Sequence, residues 1–157
     1  MSLDKGIANK ILTIGCACNP PRGGIAQVLY NYQMFVYPTF KFVANSGDGG
    51  KIAKVWQLIK AVFDVVAMLR KDGGIQIVHI HTSSYTGFNR SKIFIKIAKA
   101  FGKKVVLHIH GGSFREFYQT SPASISKTLD ACDCIIALSE SWKAFFCKVT
   151  KTKVCIV

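Results

Sequence analysis

A short apolar strand that runs into a glycine pair and then into an amphipathic helix leaves a chain few folds to choose from. Lys10 to Cys18 reads Lys-Ile-Leu-Thr-Ile-Gly-Cys-Ala-Cys, a continuous apolar run of the kind that fills a parallel sheet covered on both faces. Asn19-Pro20-Pro21-Arg22-Gly23-Gly24 breaks it, because two prolines oppose strand and helix alike and two glycines admit backbone angles that other residues resist. From Ile25 the apolar spacing turns helical, with Ile25, Val28, Leu29, Tyr32 and Val36 on one face. Such a turn presents backbone N–H groups at the positive end of a helix dipole, where phosphate binds well. It serves equally well as a tight connection. The third glycine of the dinucleotide fingerprint is missing, which argues against a plain NAD site.

The alternation continues along the chain. Phe40–Ala44 reads as a second strand, Asn45–Gly50 as a loop, and Lys54–Lys71 as the longest helix. Its expected buried side is Val55, Leu58, Ile59, Val62, Phe63, Val66 and Leu69. Ile75–His81 is a third strand, left by the polar loop Thr82–Gly87. Arg90–Phe101 is helical, and Val105–His110 is a fourth strand followed by Gly111-Gly112. Short helices at Phe114–Gln119 and Ser124–Ala131, a strand at Cys134–Leu138, a helix capped by Ser139 and a final strand from Val154 complete the pattern. Strands alternating with helices predict a Rossmann-like, three-layer α/β/α domain over 1–157 with a mostly parallel sheet of about six strands. Ligands of such folds sit beyond the carboxyl ends of the strands. Two glycine pairs, a histidine, arginines and hydroxyls gather there.

At 157 residues, half of them hydrophobic, the chain is one domain's worth and can bury a proper core. No apolar run reaches the ~20 residues of a membrane span, and Met-Ser-Leu-Asp-Lys carries no signal-peptide core. The expectation is a cytoplasmic protein. Twenty-one Lys and Arg against eight Asp and Glu give a net charge of +13, which points to a polyanionic partner. The basic residues are scattered and no nucleic-acid module is present, so nucleic acid is not the expected partner. An anionic membrane surface or phosphorylated small molecules fit better. Six cysteines without a secretory signal read as reduced core thiols rather than disulfides.

His79, His81, His108 and His110 form two His-Ile-His triplets at strand ends. Alternation places each pair on one face, which suits either a metal or hydrogen-bonded sheet histidines, and the expectation is no metal. His110 stands apart because a glycine pair follows it at the mouth of a cleft, where an imidazole can handle a proton near neutral pH or hold a ligand hydroxyl. Cys16-x-Cys18 and Cys132-x-Cys134 put sulfurs on one strand face and read as core thiols. Tyr85, Phe88, Phe114, Phe117 and Tyr118, with Arg90 and Arg115, suit an acceptor pocket or simple packing.

Taken together, these segments resemble the N-terminal domain of retaining glycosyltransferases of family 4. The matching pieces are Pro21-Arg22-Gly23-Gly24-Ile25-Ala26, Ile77-Val78-His79-Ile80-His81, Gly102 through Gly111, Cys132 through Glu140, and the closing Lys153-Val154-Cys155-Ile156-Val157. The resemblance implies the N-terminal half of a GT-B fold, with a C-terminal nucleotide-sugar-binding domain that this chain does not include. It implies that Gly23 and Gly24 meet the donor's phosphates and that His110 sits near the reacting sugar. Arg22, Ser84, Tyr85, Arg90, Gly111, Phe114 and Arg115 become the acceptor-binding candidates. No cofactor or metal is implied for the chemistry.

The expected function is therefore transfer of a sugar from a nucleotide-sugar donor to a glycan or lipid-linked acceptor in polysaccharide or cell-envelope glycan synthesis. The 1–157 chain alone is expected to be inactive without its own C-terminal domain. Its expected place is the cytoplasm or the inner face of the cytoplasmic membrane, in peripheral contact with anionic lipid. The competing readings are a stand-alone Rossmann-type ligand-binding module and a basic nucleic-acid-binding domain.

Overall fold

The computed structural model describes residues 2–157. Six strands, β1 (Ile11–Cys16), β2 (Lys41–Ser46), β3 (Ile77–Thr82), β4 (Lys104–Ile109), β5 (Cys134–Ala137) and β6 (Val154–Ile156), hydrogen-bond in the order β2-β1-β3-β4-β5-β6. The fold is the expected Rossmann-like α/β class, a parallel sheet with helices on both faces. Its contacts cluster into two compact units, one running to His79 and one from Ile80 to Val157, so the division falls inside β3 (Ile77–Thr82).

In the first unit Asp4 caps α1 (Lys5–Ala8), its carboxylate accepting from the Ile7 N–H at 3.1 Å. The apolar run becomes β1 (Ile11–Cys16), buried along nearly its whole length. It pairs in parallel with β2 (Lys41–Ser46), Leu12 opposite Lys41 and Cys16 opposite Ser46, with an irregularity between Gly15 and Cys16. Between them runs α2 (Gly24–Asn31), which continues into one π-helical turn at Tyr32–Val36. Ala26 and Leu29 bury their side chains with Cys18, and Phe40 and Phe42 pack against that cluster.

α3 (Lys51–Lys71) then packs on β2. Its buried face departs in part from the expected one. Leu69 is buried as expected, and so are Ala61 and Val65, whereas the expected Val55, Ile59 and Phe63 stand in solvent. The helix carries apolar residues on two adjacent faces. Small and branched side chains meet the sheet, and the bulkier face is left outside.

The second unit holds the end of β3, α4 (Thr86–Ala100), β4 (Lys104–Ile109), α5 (Phe114–Thr120), α6 (Pro122–Asp130), β5 (Cys134–Ala137), α7 (Glu140–Val149) and β6 (Val154–Ile156). β4, β5 and β6 pair in parallel, with Val106 opposite Cys134 and Ile136 opposite Cys155. Pro122 opens α6 at a position where its missing N–H costs nothing. Ser139 caps α7 by accepting from the Trp142 N–H at 3.4 Å. α4 begins four residues earlier than the expected Arg90, because Thr86 and Gly87 coil into its first turn. Phe88, Phe114, Phe117 and Phe146 form an aromatic core with ring centroids 5.2–5.5 Å apart, mostly edge to face.

Candidate functional site

Each unit presents one polar turn at the carboxyl ends of its strands. In the first, the chain leaves β1 and reaches α2 through Arg22-Gly23-Gly24. Gly23 has φ +93° and precedes a helix start with no side-chain cap, so the first-turn N–H groups of α2 are not capped by a side chain of this residue. Only glycine holds that φ without strain. Gly24 sits in open space where a Cβ would meet nothing. Arg22 pairs with Asp48 at 2.7 Å, both side chains largely exposed. A cavity of about 180 Å³ opens here, lined among others by Cys16, Asn19, Arg22, Ser46 and Asp48. An uncapped helix start beside an arginine is suited to an anion. His79 belongs to this unit and is buried, its ring 6.1 Å from that of Tyr32.

In the second unit the end of β3 and the end of β4 lie side by side, the His110 N–H donating to the Thr82 carbonyl at 2.8 Å. That register stacks three imidazoles. His81 lies 4.8 Å from His108 and 5.1 Å from His110, and His108 lies 4.1 Å from His110, centroid to centroid. His81 Nδ1 and His110 Nε2 are 3.0 Å apart, a hydrogen bond in which one ring donates and the other accepts. Burial pushes His110 down to about 4, so the ring is neutral at physiological pH. Of the two roles expected of His110, that environment favours holding a ligand hydroxyl over proton handling near neutrality. His110 is a neutral hydrogen-bonding imidazole whose tautomer is tied to that of His81.

The loop facing this turn is tightly built. A Cβ on Gly111 would fall 2.3 Å from Ser84 Oγ and 2.8 Å from the Ser84 backbone nitrogen. Ser84 Oγ is buried with no hydrogen-bond partner among the described residues, an arrangement that costs about 1–3 kcal/mol until something fills it. Tyr85, which opens α4, is the non-glycine residue with positive φ among the described residues, at +53°. Strain of this order persists where surrounding structure enforces it, often beside a functional turn. The half-exposed Tyr85 ring rests on Phe117 at 5.0 Å.

The remaining candidates divide. Arg90 is partly exposed near the start of α4. Arg115 is exposed, but its guanidinium lies over Trp142 and Phe145 at 5.2 and 5.6 Å and donates to the Ser141 carbonyl at 3.3 Å. Phe114 is fully buried in the aromatic core, so it anchors α5 instead of lining a pocket. Sequence reasoning places His81 among the core histidines. Its partnership with His110 depends on strand register, which a separation of 29 positions along the chain conceals.

Cys147 is exposed, unlike the expected core thiols, and burial holds four of the other five protonated. Burial raises Cys16 and Cys18, and pushes Cys132 up to about 12 and Cys134 to about 11. The sulfurs of Cys134 and Cys155 lie 3.7 Å apart across the β5–β6 pair.

Residues 21–157 match the sequence profile described as Glycosyltransferase Family 4. No curated protein and no solved structure matches the chain.

Proposed function

The chain belongs to glycosyltransferase family 4, and on that premise we propose that it forms the acceptor-side domain of a retaining enzyme. It moves a sugar from a nucleotide-sugar donor to a glycan or lipid-linked acceptor in polysaccharide or cell-envelope glycan synthesis. In that reaction the bond between the anomeric carbon and the phosphate oxygen breaks. The acceptor oxygen bonds to the same face of the sugar, and its proton leaves with the nucleoside diphosphate. No metal or cofactor takes part, and a second domain holds the base and ribose.

The observation that carries this reading is the buried, unpartnered Ser84 hydroxyl packed against the His110-Gly111 turn. A sugar is a ring of hydroxyls, each both donor and acceptor, and it can complete what Ser84 lacks. His110, neutral and held by His81, accepts or donates one hydrogen bond to such a hydroxyl without introducing a charge. Gly23 and Gly24 take the donor's phosphates at the start of α2. Arg22, Tyr85, Arg90, Gly111 and Arg115 border the acceptor.

Replacing His110 with Ala in the complete enzyme should lower kcat by ~10²-fold with UDP- or GDP-sugars, the scale of a group that stabilises the reacting centre. The fold should survive, because the ring lies past the end of β4. Near wild-type turnover in His110→Ala would return His110 to a packing role and overturn the reading.

A further inference from the structure

The outer face of α3 is apolar where a soluble helix should be polar. Ile52 is 77% exposed, Val55 56%, Trp56 67%, Ile59 40% and Phe63 71%. They fall at i, i+3, i+4, i+7 and i+11, which places all five on one stripe of the helix, away from the buried Ala61, Val65 and Leu69. Scattered exposed apolar residues need no explanation, but a contiguous row of five containing a tryptophan and a phenylalanine does.

The helix that carries the stripe is basic. Lys51, Lys54, Lys60, Arg70 and Lys71 belong to the same helix, against the single acid Asp64, which Lys60 already pairs at 2.6 Å. We propose that this face of α3 lies on an anionic bilayer surface, its stripe in the headgroup boundary and its lysines on lipid phosphates. The proposal rests on the functional reading only in what it would serve, the approach to a lipid-linked acceptor.

Charge complementarity selects lipid over a protein partner. Beyond Asp64, which Lys60 already pairs, α3 offers no acid to a mixed-charge protein surface, while the whole chain carries +13. Lys and Arg also keep their heads in the phosphate layer while their stems cover apolar surface. Trp and Phe on one side and Lys on the other are the pattern of a helix lying in the interface plane. Spanning is not in question, since no helix among the described residues is long and apolar enough to cross a membrane.

The test is co-sedimentation of the 157-residue chain with vesicles of phosphatidylcholine alone and of phosphatidylcholine with phosphatidylglycerol at roughly 7:3. The wild type is compared with Trp56→Ser/Phe63→Ser. Both positions are about two-thirds exposed or more, so circular dichroism and melting temperature should be unchanged. The wild type should prefer the anionic vesicles, release as salt rises, and lose about tenfold or more of that binding in the double variant. Equal wild-type binding to both vesicles, or a double variant that binds like the wild type, would overturn the proposal. So would a wild-type oligomer that the double variant dissolves while vesicle binding stays the same, since the stripe would then be a self-association surface. A transfer assay of the complete enzyme with a soluble acceptor separates the two readings. Absent transfer with intact vesicle binding sinks the enzyme reading alone, and the reverse sinks this one.

Discussion

At the scale of single residues, two glycines in the second unit make opposite predictions. A Cβ on Gly87 would fall 2.2 Å from Ser83 Oγ but no closer than 3.4 Å to any other atom within reach. Gly87→Ala should therefore destabilise by about 1 kcal/mol or more, and Ser83→Ala should rescue it. The double variant should exceed the wild type, because alanine gains up to about 1 kcal/mol over glycine inside a helix. Gly111→Ala meets the Ser84 backbone nitrogen as well as its hydroxyl, so Ser84→Ala should not rescue it. Chemical denaturation of the single and double variants checks both. His110 supplies a pH signature of its own. Its folded value lies near 4 against an ordinary 6.5, so the unfolded chain binds the extra proton between those values and stability falls as pH drops through that window. Up to about 2 kcal/mol of that slope should vanish in His110→Gln, measured by denaturant titration at pH 7 and pH 5. The sequence made His110 legible through the glycines that follow it. The Ser84–Gly111 and Ser83–Gly87 contacts were not legible, because they depend on loop geometry below the resolution of any periodicity.

Elements are joined in the second unit by one carboxylate. Asp133, just before β5, accepts from Lys99 near the end of α4 at 2.7 Å, from the Val105 N–H of β4 at 2.8 Å and from Lys104 at 3.2 Å. Partial burial raises its pKa, but these donors and the Lys99 charge outweigh it and hold the carboxyl down at about 2. Stability from Asp133 is present above the ordinary carboxylate range and lost as pH falls from about 4 to 2. After allowance for solvent screening, Asp133→Asn should cost about 1 kcal/mol at pH 7 and flatten that acid limb, as followed by thermal melts across pH. Strand positions were legible because apolar runs such as Ile11–Cys16 have no competing pattern. The orientation of α3 was not, since Ala61, Val65 and Leu69 repeat with the same period as Val55, Ile59 and Phe63. Periodicity reports that a helix has an apolar face, and when it has two, the sheet chooses. The start of α4 was misplaced for a related reason. Gly87 reads as a loop residue, yet it sits in the first turn of α4, where its missing Cβ clears Ser83 Oγ.

For the whole molecule, the order of strands and helices and the family were legible because nearly every segment from Pro21 to Val157 takes part in both. Donor, acceptor and pathway were not, since their determinants are side chains in short loops with no periodic signature. The 157-residue chain should bind UDP- or GDP-sugars no better than roughly millimolar, near −4 kcal/mol, if Gly23 and Gly24 hold only the phosphates and a second domain holds base and ribose, as proposed. Calorimetry checks this, and micromolar binding or multiple-turnover transfer by this chain would show that the two-domain reading is wrong. The bare stripe of α3 changes how such an enzyme would find its acceptor. With Trp56 and Phe63 seated among headgroups, encounters pass from a search through volume to lateral diffusion within a sheet of lipid. Occupancy then follows the number of acceptors per unit area, and diluting the membrane with inert lipid slows the reaction even when the acceptor's bulk concentration is held fixed.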